Sequence, residues 1–147
     1  MTVHLIKLCV GIETPRELAA WLEGHLKDLA RAGTKPEDCH RTLQTPRRRD
    51  EILDGGSLYW VINGFVLVRQ RILDLREDVK DDGTRCCGIV LDPKLVPTRP
   101  QPRRAFQGWR YLEAADAPPD AKSFDDKAEA MPRAMREELR ALRLIDW

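Results

Sequence analysis

The sequence predicts an α+β protein built on a small bent antiparallel sheet, or on a partly closed pseudobarrel, with helices on its flanks. Three observations predict this class: apolar residues at helical spacing near the N-terminus, several short segments of alternating residues in the middle, and Gly-containing turns between them. A chain of 147 residues is long enough for one domain with a core. We expect a single domain over residues 1–120, and a spacer with an amphipathic helix over residues 121–147.

The N-terminal part predicts a strand followed by a well-marked helix. Thr14 has the position of an N-cap, Pro15 that of the first helical residue, and Glu17 completes a capping box. Apolar residues then recur at helical spacing as far as Gly33, which ends the helix. His25 lies on the apolar stripe, where a packed histidine is commoner than a catalytic one.

A short strand over residues 39–44 and a second, short helix follow. Thr45-Pro46 repeats the cap-and-proline signal, and the predicted helix runs from Arg47 to Leu53 and stops at Gly55-Gly56. Three arginines in a first helical turn oppose the positive end of the helix dipole. This placement indicates either acidic neighbours, which the next two residues supply, or an anionic ligand. The three arginines are Arg47, Arg48 and Arg49.

A β-hairpin is predicted around Asn63-Gly64, the strongest short-range turn signal in the chain. With a regular two-residue turn, Ile62 opposes Phe65, Trp60 opposes Leu67, Leu58 opposes Arg69, and Gly56 opposes Arg71. Both faces of this hairpin are apolar near the turn, so we expect it to be covered on both sides.

Further elements complete the predicted sheet. Asp82-Gly83 predicts a turn into a third antiparallel strand, residues 85–91. A proline-rich connection over residues 92–102 then leads to a last strand, Arg104 to Leu112. Pro132 opens the amphipathic terminal helix.

Charge and cysteine content narrow the function classes. Residues 41–110 hold fourteen Lys/Arg against nine Asp/Glu, while both flanks are acidic. A basic centre suggests an anionic partner.

No apolar run is long enough to cross a bilayer and no signal peptide is present, so the expected location is cytoplasmic. The four cysteines include no C-x-x-C pair, and the adjacent Cys86 and Cys87 are poorly placed to bond to each other, so we predict reduced thiols with no metal site and no cofactor.

Two constellations are candidate anion sites, and no known catalytic motif is present. The first places Arg69 and Arg71 on one strand beside Gly55 and Gly56, where guanidinium forks and backbone N–H groups would bind phosphate or carboxylate. The alternative is that both arginines lie at the rim of the sheet, paired with acids. The second is the interleaving of arginines and aromatics in residues 99–111, which is typical of base stacking beside a cationic groove. Here too a core role for the aromatics is the alternative. The residues of this second constellation that we predict to bind are Arg103, Arg104, Trp109 and Tyr111.

Several strings resemble a known bacterial family. HLIKLCVG, LDGGSLYWVINGF, RQRILDL, CGIVLDP and LVPTRPQPRRAFQGWRYL are similar to the DUF1489 family, a domain of unknown function found mainly in alphaproteobacteria. The resemblance spans residues 1–120 and implies a bacterial cytoplasmic protein, without transferring catalytic residues. The order of elements is also similar to the pseudobarrels of the PUA and ASCH group, whose members bind RNA or modified nucleotides.

These observations predict a nucleic-acid or nucleotide-binding module, with RNA or another single-stranded nucleic acid as partner and without a membrane partner. The alternative is a structural or interaction protein that docks on a partner, or on a second copy, through its terminal helix and Trp147. A third hypothesis is an enzyme that acts on a phosphorylated metabolite through His4, His25 or His40. The sequence indicates no nucleophile for such an enzyme.

Overall fold

The computed structural model describes residues 1–123, which form two helices and seven strands. The predicted terminal helix and Trp147 lie outside the described residues. The elements in chain order are β1 (Val3–Leu8), α1 (Pro15–Arg31), β2 (Asp38–Thr42), α2 (Arg49–Leu53), β3 (Ser57–Ile62), β4 (Phe65–Val79), β5 (Arg85–Leu91), β6 (Val96–Pro102) and β7 (Trp109–Glu113).

All seven strands belong to one mixed sheet, with the order β2-β5-β4-β3-β1-β7 and with β6 paired to β4. The sheet bends because β4 is long and divides one of its edges between two partners. Phe65–Arg69 pair with β6, whereas Ile72–Val79 pair with β5. The α+β class with a small bent sheet is therefore confirmed, as is the meander β3-β4-β5. One pair departs from the antiparallel pattern, since β1 runs parallel to β3.

The hairpin turn is confirmed, but its register is not. Asn63 and Gly64 both have positive φ, 55° and 87°, and Ile62 pairs with Phe65. One step further a β-bulge inserts an extra residue, Leu67, because Val61 pairs with Val66 but Trp60 with Val68.

This bulge moves the following side chains of β4 to the other face of the sheet. Arg69 opposes Tyr59 and Arg71 opposes Ser57, so the predicted partners Leu58 and Gly56 are wrong. The predicted partner of Trp60, Leu67, is also wrong: Trp60 pairs with Val68 and shares its face of the sheet with Gln70, to which its indole N–H donates, and not with Arg69.

Helix α1 has the predicted N-cap, since Thr14 Oγ1 accepts a hydrogen bond from Glu17 N at 3.2 Å. The return bond of the predicted capping box is displaced by one residue: the Glu17 carboxylate accepts from Glu13 N at 3.1 Å, and not from the N-cap N–H. The helix ends at Arg31, and Gly33 follows with φ of 75°.

Two predicted boundaries are wrong. Helix α2 starts at Arg49, because the backbone N–H groups of Arg47 and Arg48 donate to Tyr111 Oη, at 2.8 and 3.3 Å, before the helix begins. The predicted proline-rich connection contains strand β6, and the last strand starts at Trp109, so Arg104 lies in the loop before it. Proline has no N–H to donate to a neighbouring strand, which argues against a central strand. An edge strand tolerates proline, because one of its sides has no partner strand.

The core divides into two clusters on opposite faces of the sheet. The larger lies under α1 and α2 and contains Leu18, Ile52 and Trp60. The smaller contains Ile6, Tyr59, Val61, Val66 and Leu112, with Phe106 and Ala117 packed against it. Every residue of β3 is buried, which confirms that the hairpin is covered on both sides. No helix within residues 1–123 is both long and apolar enough to cross a membrane.

Candidate functional site

A groove of about 600 Å³ lies between the end of β6 and the start of β7, over the smaller core. Ile6 and Leu112 form part of its lining, and both belong to that core. The side chain of Gln101 donates a hydrogen bond to Asp116 O at 3.0 Å and so connects β6 to the turn after β7. The groove therefore has an apolar floor and a wall held by the sheet.

Three arginines and one phenylalanine line this groove, which we call the arginine groove. Arg110 lies with its Cζ 5.5 Å from the centroid of the Phe106 ring, a cation–π contact. Arg103 is held in place, since its backbone N–H donates to Gly64 O at 2.9 Å and its Nη2 donates to Gln101 Oε1 at 2.6 Å. The third arginine, Arg104, is exposed.

The arginine groove carries an excess of positive charge. Among the described residues that line it, Asp116 is the one carboxylate, against three guanidinium groups. Within residues 1–123, no carboxylate lies at ion-pair distance from Arg103, Arg104 or Arg110. The Nε of Arg103 is buried and has no hydrogen-bond partner. Guanidinium groups without carboxylate partners beside an aromatic ring are suited to phosphate and to stacked bases.

The other aromatic candidates, Trp109 and Tyr111, have internal partners. Trp109 Nε1 donates to Gln44 O at 2.8 Å, and the two rings contact each other edge to face with centroids 4.8 Å apart. Tyr111 Oη accepts from the loop before α2, and the Arg48 guanidinium lies 5.4 Å from the centroid of its ring. Both rings pack against the larger core and hold that loop in place.

The first arginine cluster is engaged in ion pairs. Arg48 binds Glu51 and also Glu113 at 2.6 Å, and these hydrogen bonds raise the pKa of its guanidinium, Glu51 contributing most. Arg49 binds the carbonyl of Leu75, and its Nη2 lies 3.0 Å from Asp74 Oδ1. Arg47 is exposed. The acidic-neighbour interpretation therefore fits Arg48, which binds Glu51, whereas Arg49 pairs with Asp74, twenty-five positions later, and not with a sequence neighbour.

Arg69 lies in a separate polar pocket of about 330 Å³. Its Nε and Nη2 bind the two carboxylate oxygens of Asp120, each at 2.7 Å, and its Nη1 donates to Ser57 Oγ at 3.0 Å. Hydrogen bonding to Arg69 lowers the pKa of the Asp120 carboxyl. Because the guanidinium is already matched by a carboxylate, this pocket holds less net positive charge than the arginine groove.

His4 lines the same pocket, and a backbone hydrogen bond determines which of its ring nitrogens is unprotonated. Its Nδ1 accepts a hydrogen bond from Ser57 N at 3.0 Å, and its ring contacts Tyr59 edge to face. Burial lowers the pKa of His4, and the charge of Arg69 lowers it further. Burial also raises the pKa of the Tyr59 hydroxyl. His4 is therefore a neutral acceptor that is already used by the backbone.

The two glycines beside this pocket differ. Gly55 is exposed, lines the pocket and has φ of 83°. Gly56 is buried, donates its N–H to Ile52 O at 2.8 Å and accepts from Ile72 N at 2.9 Å. Arg71 is exposed and lies across the ladder from Ser57.

The structure thus divides the predicted site residues among three places. Arg47, Arg48, Trp109 and Tyr111 meet at the loop before α2, and Arg69 and Gly55 share the polar pocket. Arg103 and Arg104 line the arginine groove, and Tyr111 is also among the residues that line it. Two groove residues, Phe106 and Arg110, were not among the site residues, although the interleaving of arginines and aromatics that indicated the region includes them.

The fold and groove define the class of protein: an α+β protein with a mixed, bent sheet and a cationic groove on one of its faces. The chain belongs to the family described as "Protein of unknown function (DUF1489)", whose match covers residues 5–145. That match extends the predicted resemblance, residues 1–120, well into the C-terminal segment. No curated protein and no solved structure matches the chain.

Proposed function

We propose that this protein is a nucleic-acid or nucleotide-binding module, with single-stranded RNA as the preferred partner, and that the arginine groove is its binding surface. The observation that carries the proposal is the set of three guanidinium groups without carboxylate partners in one groove within residues 1–123, one of them stacked on an aromatic ring. Arg103 and Arg104 would contact phosphates, and Phe106 with Arg110 would provide a stacking surface.

The groove has the size and shape for this task. Small-ligand sites have volumes of about 300–1,000 Å³, and the groove of about 600 Å³ lies within that range. Single-stranded nucleic acids are bound by a cationic groove that follows the backbone and by aromatic faces that stack on bases. Arg69 and Arg71 stay in the proposal as a further phosphate contact, which would require Arg69 to exchange Asp120 for the ligand.

Two finer points belong to the same proposal. The similarity in element order to PUA and ASCH pseudobarrels supports an RNA ligand by analogy of fold alone. A cytoplasmic location is supported by the four cysteines, none of which is in a disulfide.

The test is fluorescence anisotropy of a labelled single-stranded RNA, about twelve nucleotides long, at several salt concentrations. Each phosphate contact on a single strand contributes about −0.7 to the slope of log affinity against log salt concentration. The double variant Arg103→Gln/Arg104→Gln should bind about tenfold more weakly at low salt and should reduce the slope by about 1.4, since it removes both proposed phosphate contacts.

Two further variants make the test specific to the groove. Lys27→Gln/Arg31→Gln removes the same charge from exposed positions of α1 and should leave both affinity and slope close to those of the wild type. Phe106→Ala should weaken binding by about 1–3 kcal/mol for a stacked base while the salt slope is kept. Equal losses in the groove variant and the helix variant would show that binding is unspecific attraction to net charge.

A further inference from the structure

A second cavity, of about 450 Å³, lies on the other face of the sheet. It is located where the parallel strands β1 and β3 end and the chain turns towards α1, and Cys9 N extends the pairing of these strands by donating to Val61 O at 2.9 Å. The carboxyl ends of parallel strands are the usual location of ligands in α/β sheets. The lining residues that matter for the argument are Lys7, Cys9, Ile12, Trp21, His40 and Trp60.

The side of the cavity is an assembly of aromatic rings. His40 contacts Trp60 edge to face, with ring centroids 5.0 Å apart, and Trp21 lies 6.1 Å from His40 at an angle of 42°. Trp21 is 47% exposed although it is a large apolar residue, and its ring is stacked on His25. An exposed tryptophan at the mouth of an aromatic cavity leaves a flat surface on which a planar molecule can pack.

A buried carboxylate lies behind His40. Asp38 is 2% exposed, and its Oδ1 lies 2.9 Å from His40 Nε2. The contact is within ion-pair distance, but the two atoms are not aligned for a hydrogen bond, and both remain without a hydrogen-bond partner. Asp38 and His40 are two residues apart on β2, so their side chains lie on the same face of the sheet.

Asp38 is held in turn by a buried polar network. Its Oδ2 accepts a hydrogen bond from Gln70 Nε2 at 2.8 Å, and Gln70 Oε1 accepts one from Trp60 Nε1 at 2.8 Å. The network connects two residues that line the cavity, His40 and Trp60, through residues that do not. A carboxylate so positioned favours the tautomer of His40 with its proton on Nε2, which leaves Nδ1 as an acceptor.

Lys7 is the one Lys, Arg, Asp or Glu side chain among the described residues that line the cavity, and the other side chains favour a neutral ligand with a donor. Burial raises the pKa of the Cys9 thiol to about 12, so Cys9 lines the cavity as an uncharged group. His40 Nδ1 makes no hydrogen bond to any part of the chain that the structure describes. A planar ring that carries an N–H would match the aromatic side and supply the missing donor.

We propose that this cavity binds a small planar heteroaromatic molecule with a ring N–H, which packs against Trp21 and Trp60 and donates a hydrogen bond to His40 Nδ1. Asp38 acts as a positioning residue that fixes the tautomer of His40. The site is independent of the arginine groove, because the two lie on opposite faces of the sheet.

The experiment compares indole with 1-methylindole, which lacks the N–H donor. Binding is followed by two-dimensional NMR of the tryptophan side-chain N–H signals, and Trp60 and Trp21 should shift on titration. The ratio of the two affinities should fall by about three- to tenfold in His40→Phe, since one hydrogen bond is lost. Because the ratio is compared between proteins, the extra apolar area of the methyl group cancels.

Two variants and one further measurement complete the design. His25 also contacts Trp21, but it is not among the residues that line the cavity. His25→Phe should therefore keep the wild-type ratio of the two affinities. Asp38→Asn should reduce the ratio in the same direction, because it removes the negative charge that favours the ring proton on Nε2 and leaves Nδ1 as an acceptor.

In the wild type, the N–H of bound indole should show a nuclear Overhauser contact to the His40 ring, a readout that does not depend on any variant. The proposal is overturned if indole fails to shift Trp60 up to its solubility limit. It is equally overturned if indole binds without that contact, or if the affinity ratio is unchanged in folded His40→Phe.

Discussion

Replacing Gln70 by Leu tests the buried polar network between Trp60 and Asp38. Gln70 is 0% exposed and is bonded to three groups: it accepts from Trp60 Nε1 at 2.8 Å and donates to Asp38 Oδ2 at 2.8 Å and to Asp92 O at 3.0 Å. Leucine has a similar size, so the substitution removes the hydrogen bonds and leaves little cavity. The buried Trp60 N–H and the buried Asp38 carboxylate then lose their partner.

The expected cost follows from these groups. An unsatisfied buried donor costs about 1–3 kcal/mol, and a buried charge that loses a partner costs more. We therefore expect Gln70→Leu to lower the free energy of unfolding by about 3–5 kcal/mol. For a chain of this length that corresponds to a decrease in Tm of about 10 °C.

The assay is urea denaturation followed by far-UV circular dichroism, since tryptophan fluorescence would also report the changed surroundings of Trp60. Gln101→Leu is the matched control. Gln101 also makes side-chain hydrogen bonds, but it is only partly buried, so a loss below about 1 kcal/mol is expected. A loss below about 1 kcal/mol for Gln70→Leu as well would refute the network, because the buried partners would then be satisfied without Gln70.

Two further predictions concern the close packing of Gly56 and the pairing of Asp120. A Cβ at Gly56 would lie 2.5 Å from Val3 O and still closer to Ile52 O, so Gly56→Ala should destabilise the protein by about 3 kcal/mol. Gly24→Ala, on the open face of α1, should instead stabilise it by about 0.5–1 kcal/mol. Thermal unfolding of both variants measures these changes, and equal effects on stability would contradict the reasoning. The Asp120 carboxyl has a pKa lowered by Arg69, so its stabilising effect is complete above its unfolded pKa of about 3.9 and is lost as the pH falls through the lower folded value. The difference in Tm between wild type and Asp120→Asn should therefore shrink below about pH 4, and a difference that stays constant down to about pH 2 would show that the ion pair does not form in solution.

Sequence reasoning succeeded where structure depends on neighbouring residues. The N-cap Thr14, the turn Asn63-Gly64 and the stop at Gly33 each act within a few positions along the chain, and each was found. The bulge at Leu67 was missed because a bulge shows in a sequence only as a break in the alternation of apolar and polar residues. Here both faces of the hairpin are apolar, so there is no such alternation to break. That single residue decides that Arg69 shares a face with Tyr59 and not with Trp60.

The candidate sites depend on contacts between distant parts of the chain, and these were beyond local reasoning. Tyr111 receives hydrogen bonds from residues more than sixty positions earlier, and Arg69 is paired with Asp120, fifty-one positions later. The pairing of Asp38 with His40 was missed, because the predicted strand began at Cys39 and left Asp38 outside it, and only the fold places Gln70 and Trp60 beside them. The parallel pairing of β1 with β3 creates the cavity, and no turn signal marks a parallel pair.

The central position of β1 constrains how the chain can fold during synthesis. This strand pairs with β3, about fifty residues later, and with β7, which begins at Trp109. A nascent chain that lacks β7 leaves one long edge of β1 unpaired, and such edges invite association between chains. Because so many pairings are distant in sequence, we expect slow, cooperative folding over milliseconds to seconds, completed only after the last strand has left the ribosome.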